Sequence, residues 1–176
     1  MNVILLPVLL PFIGAILCLF FRHNLWPQRV ISGVISLALP LISFLFILYV
    51  RQEGIMVLRL GNWPGAFGIV FTIDLFSAIM LCVASLTQAL TWCFVVAGAM
   101  PRINERNLLH PVFLLLCTGV HWAFSTSDIF NLFVSFEIIL LASYVLLSFG
   151  NEGPQIRETI KFVVFNIIAS AFFLIA

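Results

Sequence analysis

The chain has 176 residues, 63% of them hydrophobic and only 9% charged, with a formal net charge of +1. An ordinary globular domain is about 25% charged, so a water-soluble fold is excluded for want of polar side chains to cover it, and disorder is excluded by the excess of apolar surface. The small net charge argues against nucleic acid as a partner, and a mean hydropathy of +1.22 leaves an all-α polytopic membrane protein in contact with the lipid bilayer.

Long uncharged runs mark helices of about 20 residues. The first covers Met1–Phe21, with Pro7 and Pro11 one turn apart as kink points. It lacks the basic n-region and small-residue cleavage site of a signal peptide. The second covers Val30–Val50, with Pro40 near its middle. The loop 51–74 that follows holds two β-branched-rich stretches, Ile55–Leu60 and Phe67–Ile73, around the turn cluster Gly61-Asn62-Trp63-Pro64-Gly65. It predicts a β-hairpin that clips helix ends or offers a surface to a neighbour, with an irregular interfacial loop as the alternative.

The third run is Leu75–Met100, and the fourth extends from about Leu108 to Ser127 with Pro111 in its first turn. The fifth is Asp128–Phe149, where Asp128 suits an N-cap. A sixth starts near Lys161 and reaches Ala176. The 15 uncharged residues from Phe162 onward give about 22 Å of helix against a hydrocarbon core of about 30 Å. The expected architecture is therefore five complete transmembrane helices, a truncated sixth and an outer hairpin, as one transmembrane domain over 1–176 from the N-terminal part of a longer protein. Arg22, Arg29, Arg102, Arg106, Arg157 and Lys161 fall on one side and only Arg51 and Arg59 on the other. The positive-inside rule then puts the N-terminus outside a multi-pass cell (inner) membrane protein. Trp26 and Tyr49 fall near the predicted interfaces, where aromatic belts form.

Few residues can carry chemistry. Cys18, Cys82, Cys93 and Cys117 lie in apolar runs without a CxxC pair, and Cys82 and Cys93 stand about 16 Å apart along one helix, too far for a disulfide. There is no nucleotide loop, nucleophile–base pair, metal or haem ligand set, so no cofactor is expected. Glu137 stands out. Nine residues beyond Asp128, it lies about 13 Å into the fifth helix, near the bilayer midplane. Carboxyls at that depth face the bundle interior and mark proton or ion paths, which makes Glu137 the candidate for proton transfer. The bland alternative is a structural carboxyl that ties helices together. Phe133, Val134, Leu140, Leu141 and Tyr144 share its face, Tyr144 most simply as packing.

Lys161 either snorkels to the interface or faces inward as an electrostatic partner for nearby acids. Glu158 is one turn before it, while a direct bridge to Glu137 is not expected. His110 and His121, 11 residues apart in the fourth helix, are candidate relay groups or interfacial hydrogen-bonders. They stand too far apart to share a metal ion.

At the fifth helix the pattern becomes recognisable. Asp128-Ile129-Phe130-Asn131-Leu132-Phe133-Val134-Ser135-Phe136-Glu137, followed by Leu140-Leu141-Ala142-Ser143-Tyr144, resembles the D subunit of Mrp-type multisubunit Na+/H+ antiporters. So do Leu60-Gly61-Asn62-Trp63-Pro64, Phe67-Gly68-Ile69-Val70, Gln28-Arg29-Val30-Ile31-Ser32-Gly33 and Lys161-Phe162-Val163-Val164-Phe165-Asn166. The resemblance covers essentially the whole chain. A midplane glutamate alone is shared with the antiporter-like subunits of respiratory complex I.

The resemblance implies a longer subunit of about 14 helices with two inverted repeats, in which residues 1–100 are peripheral helices and 108–176 begin the first repeat. It implies assembly with the other antiporter subunits and exchange of Na+ for H+. Glu137 matches the family's helix-five glutamate. The family's partner lysine would lie on helix seven, so these residues alone are not expected to transport. His121-Trp122 departs from the small polar residues expected there. Two alternatives remain: a proton-translocating membrane subunit of an NADH–quinone oxidoreductase, and a membrane scaffold in which Glu137 carries no proton.

Overall fold

The computed structural model describes residues 2–60, 68–98, 108–149 and 153–175. The predicted turn 61–65, Phe67, Arg102 and Arg106 lie outside the described residues. A 3-10 turn, Asn2–Leu5, leads into α1, Leu6–Phe20. Pro7 sits in the first turn, where its missing N–H is not needed, and Pro11 lies inside the helix. Helix α2, Leu25–Glu53, has 29 residues and extends beyond the uncharged run at both ends. Charged and amide side chains continue a helix into the interface once it is nucleated. It closes at Gly54, whose φ of 88° is a conformation that glycine adopts without a Cβ penalty.

Strands β1, Met56–Arg59, and β2, Val70–Ile73, pair antiparallel, with Leu58 opposite Phe71. The predicted hairpin is present. Helices α3, Leu75–Val96, α4, Leu109–Ser125, α5, Ile129–Ser148, and α6, Gly153–Ile175, follow. Asp74 caps α3 by accepting from the Ser77 amide at 2.7 Å. This hydrogen bond holds its carboxyl below the usual carboxylate range. Asp128 caps α5 as predicted, accepting from Phe130 N at 3.1 Å and Asn131 N at 3.3 Å.

Five of these segments are long and apolar enough to cross a membrane; α4, at 17 residues, is shorter. Helix α6 begins at Gly153, eight residues before Lys161, because Arg157, Glu158 and Lys161 form its polar first turns rather than a loop ahead of it. Trp26 and Tyr49 are exposed near the two ends of α2, where interfacial aromatics belong.

Helices α2 and α3 pack side by side, α4 lies between α1 and α5, and α6 packs on α5. Two features lock the bundle. At the hairpin end, Leu58, Phe71 and Ile73 are buried with Ile4, Val8, Phe46, Val50, Ala78 and Leu81. The free edge of β2 holds the α4–α5 turn: Phe71 bridges Thr126, and the Ser127 amide donates to Val70 O at 3.1 Å. The hairpin is therefore a clip across helix ends. Deeper in the bundle the α2–α3 contact is polar. Ser32, Ser36 and Ser43 are fully buried opposite Trp92, Gln88 and Ser85 respectively. Inside a bilayer there is little hydrophobic gradient between helices, so small residues and hydrogen bonds hold such a seam.

Candidate functional site: a carboxyl between α5 and α6

Helix α5 places Glu137 on the face turned towards α6, half-buried, while Phe136 and Leu141 are exposed. The carboxyl is not alone. Ser170 of α6 donates its hydroxyl to Glu137 Oε1 at 2.5 Å. Among the described residues no cation pairs with Glu137. Two aromatic pairs flank the site along the helices. On the hairpin side, Phe133 stacks on Phe173 with centroids 5.4 Å apart. On the other side, Tyr144 meets Phe162 edge-on at 5.6 Å. The Tyr144 ring thus packs, as predicted.

One turn from Ser170 towards Phe162 stands Asn166. Its Nδ2 is buried and has no hydrogen-bond partner among the described residues. Phe162, Asn166, Ser170 and Phe173 follow the three- and four-residue spacing of one helix face. Neither Asn166 nor Ser170 was a candidate from sequence. The available signal was two polar residues four apart in the otherwise apolar stretch 162–175 of α6.

Lys161 is placed elsewhere. It pairs with Glu158 at 2.7 Å with both side chains largely exposed. It lies nine residues from Ser170 along α6, about 13 Å of rise.

The two histidines are both buried, but in different settings. His110 Nδ1 lies 2.9 Å from Ser32 Oγ of α2, and the same hydroxyl accepts from Trp92 Nε1 at 2.9 Å. His121 Nδ1 lies 2.7 Å from Cys117 O in its own helix. A carbonyl only accepts, so Nδ1 carries the hydrogen and Nε2 is left as the titrating atom. His121 Nε2 and Gln88 Oε1 have no hydrogen-bond partner among the described residues. Both side chains line a groove of about 420 Å³ between α3 and α4, with Thr87, Thr91 and Cys117. Trp122, where small polar residues were expected, donates to Asn131 Oδ1 at 3.0 Å and packs near Phe71. It closes the hairpin end of the α4–α5 contact.

Gly119 allows the close approach of α4 and α5 that supports this geometry: a Cβ there would meet Ser135 O at 3.0 Å. Among the described residues, no group of three or more His, Cys, Asp or Glu side chains could hold a metal ion. Chemically, the α5–α6 site presents one half-buried carboxyl held by a hydroxyl among largely apolar neighbours.

The chain is 42% identical over 175 residues to the D subunit of the Na+/H+ antiporter of Alkalihalophilus pseudofirmus, a match covering 99% of this chain and 35% of that protein. It is 35% identical over 174 residues to the D subunit of the Bacillus subtilis Na+/H+ antiporter, again covering 99% of this chain and 35% of the relative. The chain is thus similar over nearly its whole length to part of the D subunit of Na+/H+ antiporters. It spans about a third of the length of these D subunits. Two solved structures share its fold over 99% of the chain. The Mrp complex from Dietzia sp. DQ12-45-1b superposes with a TM-score of 0.88 at 25% identity, over 33% of its matched chain. The membrane-bound sulfane sulfur reductase, an archaeal respiratory membrane complex, gives 0.91 at 26% identity, over 36% of its matched chain. No protein-family model matches the chain.

Proposed function

We propose that the chain belongs to a membrane subunit of a multisubunit monovalent cation (Na+)/proton antiporter and contributes Glu137 to the proton path. The observation that carries this reading is a carboxyl within a membrane-spanning, otherwise uncharged helix, hydrogen-bonded to Ser170 and flanked by aromatic pairs. The homology to antiporter D subunits supports the exchange it serves. A carboxyl in such a setting is retained for what it does, because its burial is costly. The Ser170 hydroxyl can donate to a carboxyl and accept from a protonated one, so it can hold Glu137 when the proton is loaded. His121 and His110 are relay groups in this scheme, and Lys161 at its interface biases the approach of protons electrostatically. The subunit lies in the cell membrane with its N-terminus outside and the Glu158–Lys161 end of α6 at the cytoplasmic face. The segment 108–176 begins an inverted repeat, and the remaining antiporter subunits are its partners.

A second reading is favoured by one observation, the high structural similarity to a respiratory membrane complex: a membrane subunit that translocates protons on energy from redox chemistry elsewhere, as in NADH–quinone oxidoreductase. The two separate in everted vesicles carrying the full-length protein in its complex. With a ΔpH imposed by an acid jump and no electron donor, antiport predicts that added Na+ collapses the gradient. Proton movement that appears only with an electron donor, and is indifferent to Na+, would support the second reading and overturn the first.

A further inference from the structure

We propose that α6 offers the Glu137 carboxyl two hydrogen-bond stations one helical turn apart, Ser170 and Asn166, and that the carboxyl moves between them. The inference deepens the reading of Glu137 as a proton-path group and rests on it.

Ser170 is the station seen in use, its hydroxyl donating to Oε1. Asn166 lies four residues back on the same face, about 6 Å along the axis. Its Nδ2 is buried without a partner among the described residues. A buried donor left unsatisfied costs about 1–3 kcal/mol, so its persistence calls for an acceptor that reaches it in another state. Asn166 and Ser170 face the stretch of α5 between Phe133 and Tyr144. Ser143 in that stretch donates to Ile139 O at 2.7 Å but its oxygen can still accept. The side-chain acceptors on this side of α5 are therefore the Ser143 hydroxyl, the Tyr144 phenol and the Glu137 carboxyl, of which only the carboxyl can carry a negative charge to a donor-only amide. In this proposal Glu137 swings along α6 by turning its side-chain torsions. Its range is bounded by the Phe133–Phe173 pair at one end and the Tyr144–Phe162 pair at the other.

The two stations differ in chemistry. The Asn166 Nδ2 group only donates, so it favours the ionised carboxylate, which only accepts. The Ser170 hydroxyl both donates and accepts, so it also suits the protonated acid. Loading a proton on Glu137 therefore shifts the side chain towards Ser170, and losing it shifts the side chain towards Asn166. No bond to the proton breaks in the movement itself. The carboxyl is displaced along the helix axis, which is the direction a proton must travel.

The test uses the full-length protein in its assembled complex. The infrared difference between wild type and Glu137→Gln isolates the bands of this carboxyl. Ser170→Ala is expected to raise the C=O stretch of the protonated acid, and Ser170→Thr to restore it. Asn166→Leu, or Asn166→Ala if the larger residue blocks assembly, is expected to shift the carboxylate band and leave the protonated band in place. Cation/proton exchange per complex should fall about tenfold in Ser170→Ala and in the Asn166 variants, the size of one hydrogen bond to a charged group. The proposal is overturned if the Asn166 variants keep the wild-type carboxylate band. It is also overturned if Tyr144→Phe reproduces their effect, which would assign Asn166 to the phenol. Wild-type exchange in Glu137→Gln would instead overturn the proton-path reading, and the carboxyl bands would still report the two stations.

Discussion

The indole of Trp122 donates to Asn131 Oδ1 at 3.0 Å, and Asn131 Nδ2 in turn donates to Thr126 Oγ1 at 2.8 Å. With Asn131 only 2% exposed, this chain of hydrogen bonds fixes the turn between α4 and α5 and so the depth of everything on α5. Trp122→Phe should keep ring packing but leave a buried amide oxygen without its donor, costing about 1–3 kcal/mol. Asn131→Ala should cost a similar amount. The double variant should cost less than the sum of the two by at least about 0.5 kcal/mol, as expected for direct partners. Unfolding of the purified full-length protein in detergent measures all three; additive losses would show that the bond contributes nothing.

A second prediction compares two serines on the α2–α3 seam. Ser32 Oγ donates to Gln28 O at 2.8 Å, accepts from Trp92 Nε1 and bonds His110 Nδ1. Ser43 makes one long contact of 3.5 Å to Ser85. Ser32→Ala should therefore cost about 1–3 kcal/mol and Ser43→Ala about 0.6 kcal/mol or less. The same unfolding measurement decides, and the reverse order would show that the Ser32 cluster is not what holds α2 to α3.

Asp74 gives a pH dependence with a definite sign. Its folded-state pKa is depressed by the Ser77 amide, so the ionised cap stabilises α3 above the unfolded value and loses that effect as pH falls through the folded value. Asp74→Ala should cost about 1 kcal/mol at neutral pH, and the gap to wild type should narrow below about pH 4. A gap that widens with acid would contradict the cap.

Orientation is tested by labelling in intact cells, with Cys18, Cys82, Cys93 and Cys117 replaced. Arg59→Cys on the exposed end of β1 should react with a membrane-impermeant thiol reagent, and His23→Cys in the exposed α1–α2 turn should not. The opposite pattern would invert the topology drawn from the basic residues.

Much of the bundle was legible because a membrane helix announces itself by an uncharged run and a cap by its residue type. Asp128, Pro111 and both strands could all be read that way. The start of α6 could not, because Arg157, Glu158 and Lys161 interrupt the apolar run without interrupting the helix. Nor could the partner of Glu137. A serine or asparagine in an apolar helix looks like small filler until packing shows what it faces. The same holds for Ser32 and Gln88, whose roles exist only where α2, α3 and α4 meet. Lys161, conspicuous in the sequence, pairs with its own neighbour Glu158.

The central claim is that Glu137 carries a proton rather than merely joining α5 to α6, and Glu137→Gln addresses it most directly. Glutamine keeps the shape and an oxygen for the Ser170 hydroxyl but cannot titrate. The measurement is Na+-dependent collapse of ΔpH in everted vesicles of the full-length complex, normalised to assembled protein, with Glu137→Asp alongside. Glu137→Gln is predicted to abolish exchange while assembling normally, and Glu137→Asp to retain part of it with a shifted pH optimum, since the carboxyl is withdrawn by one methylene. Wild-type exchange by Glu137→Gln, or a loss that merely follows the loss of assembled protein, would contradict the account and leave Glu137 as a hydrogen-bonded strut.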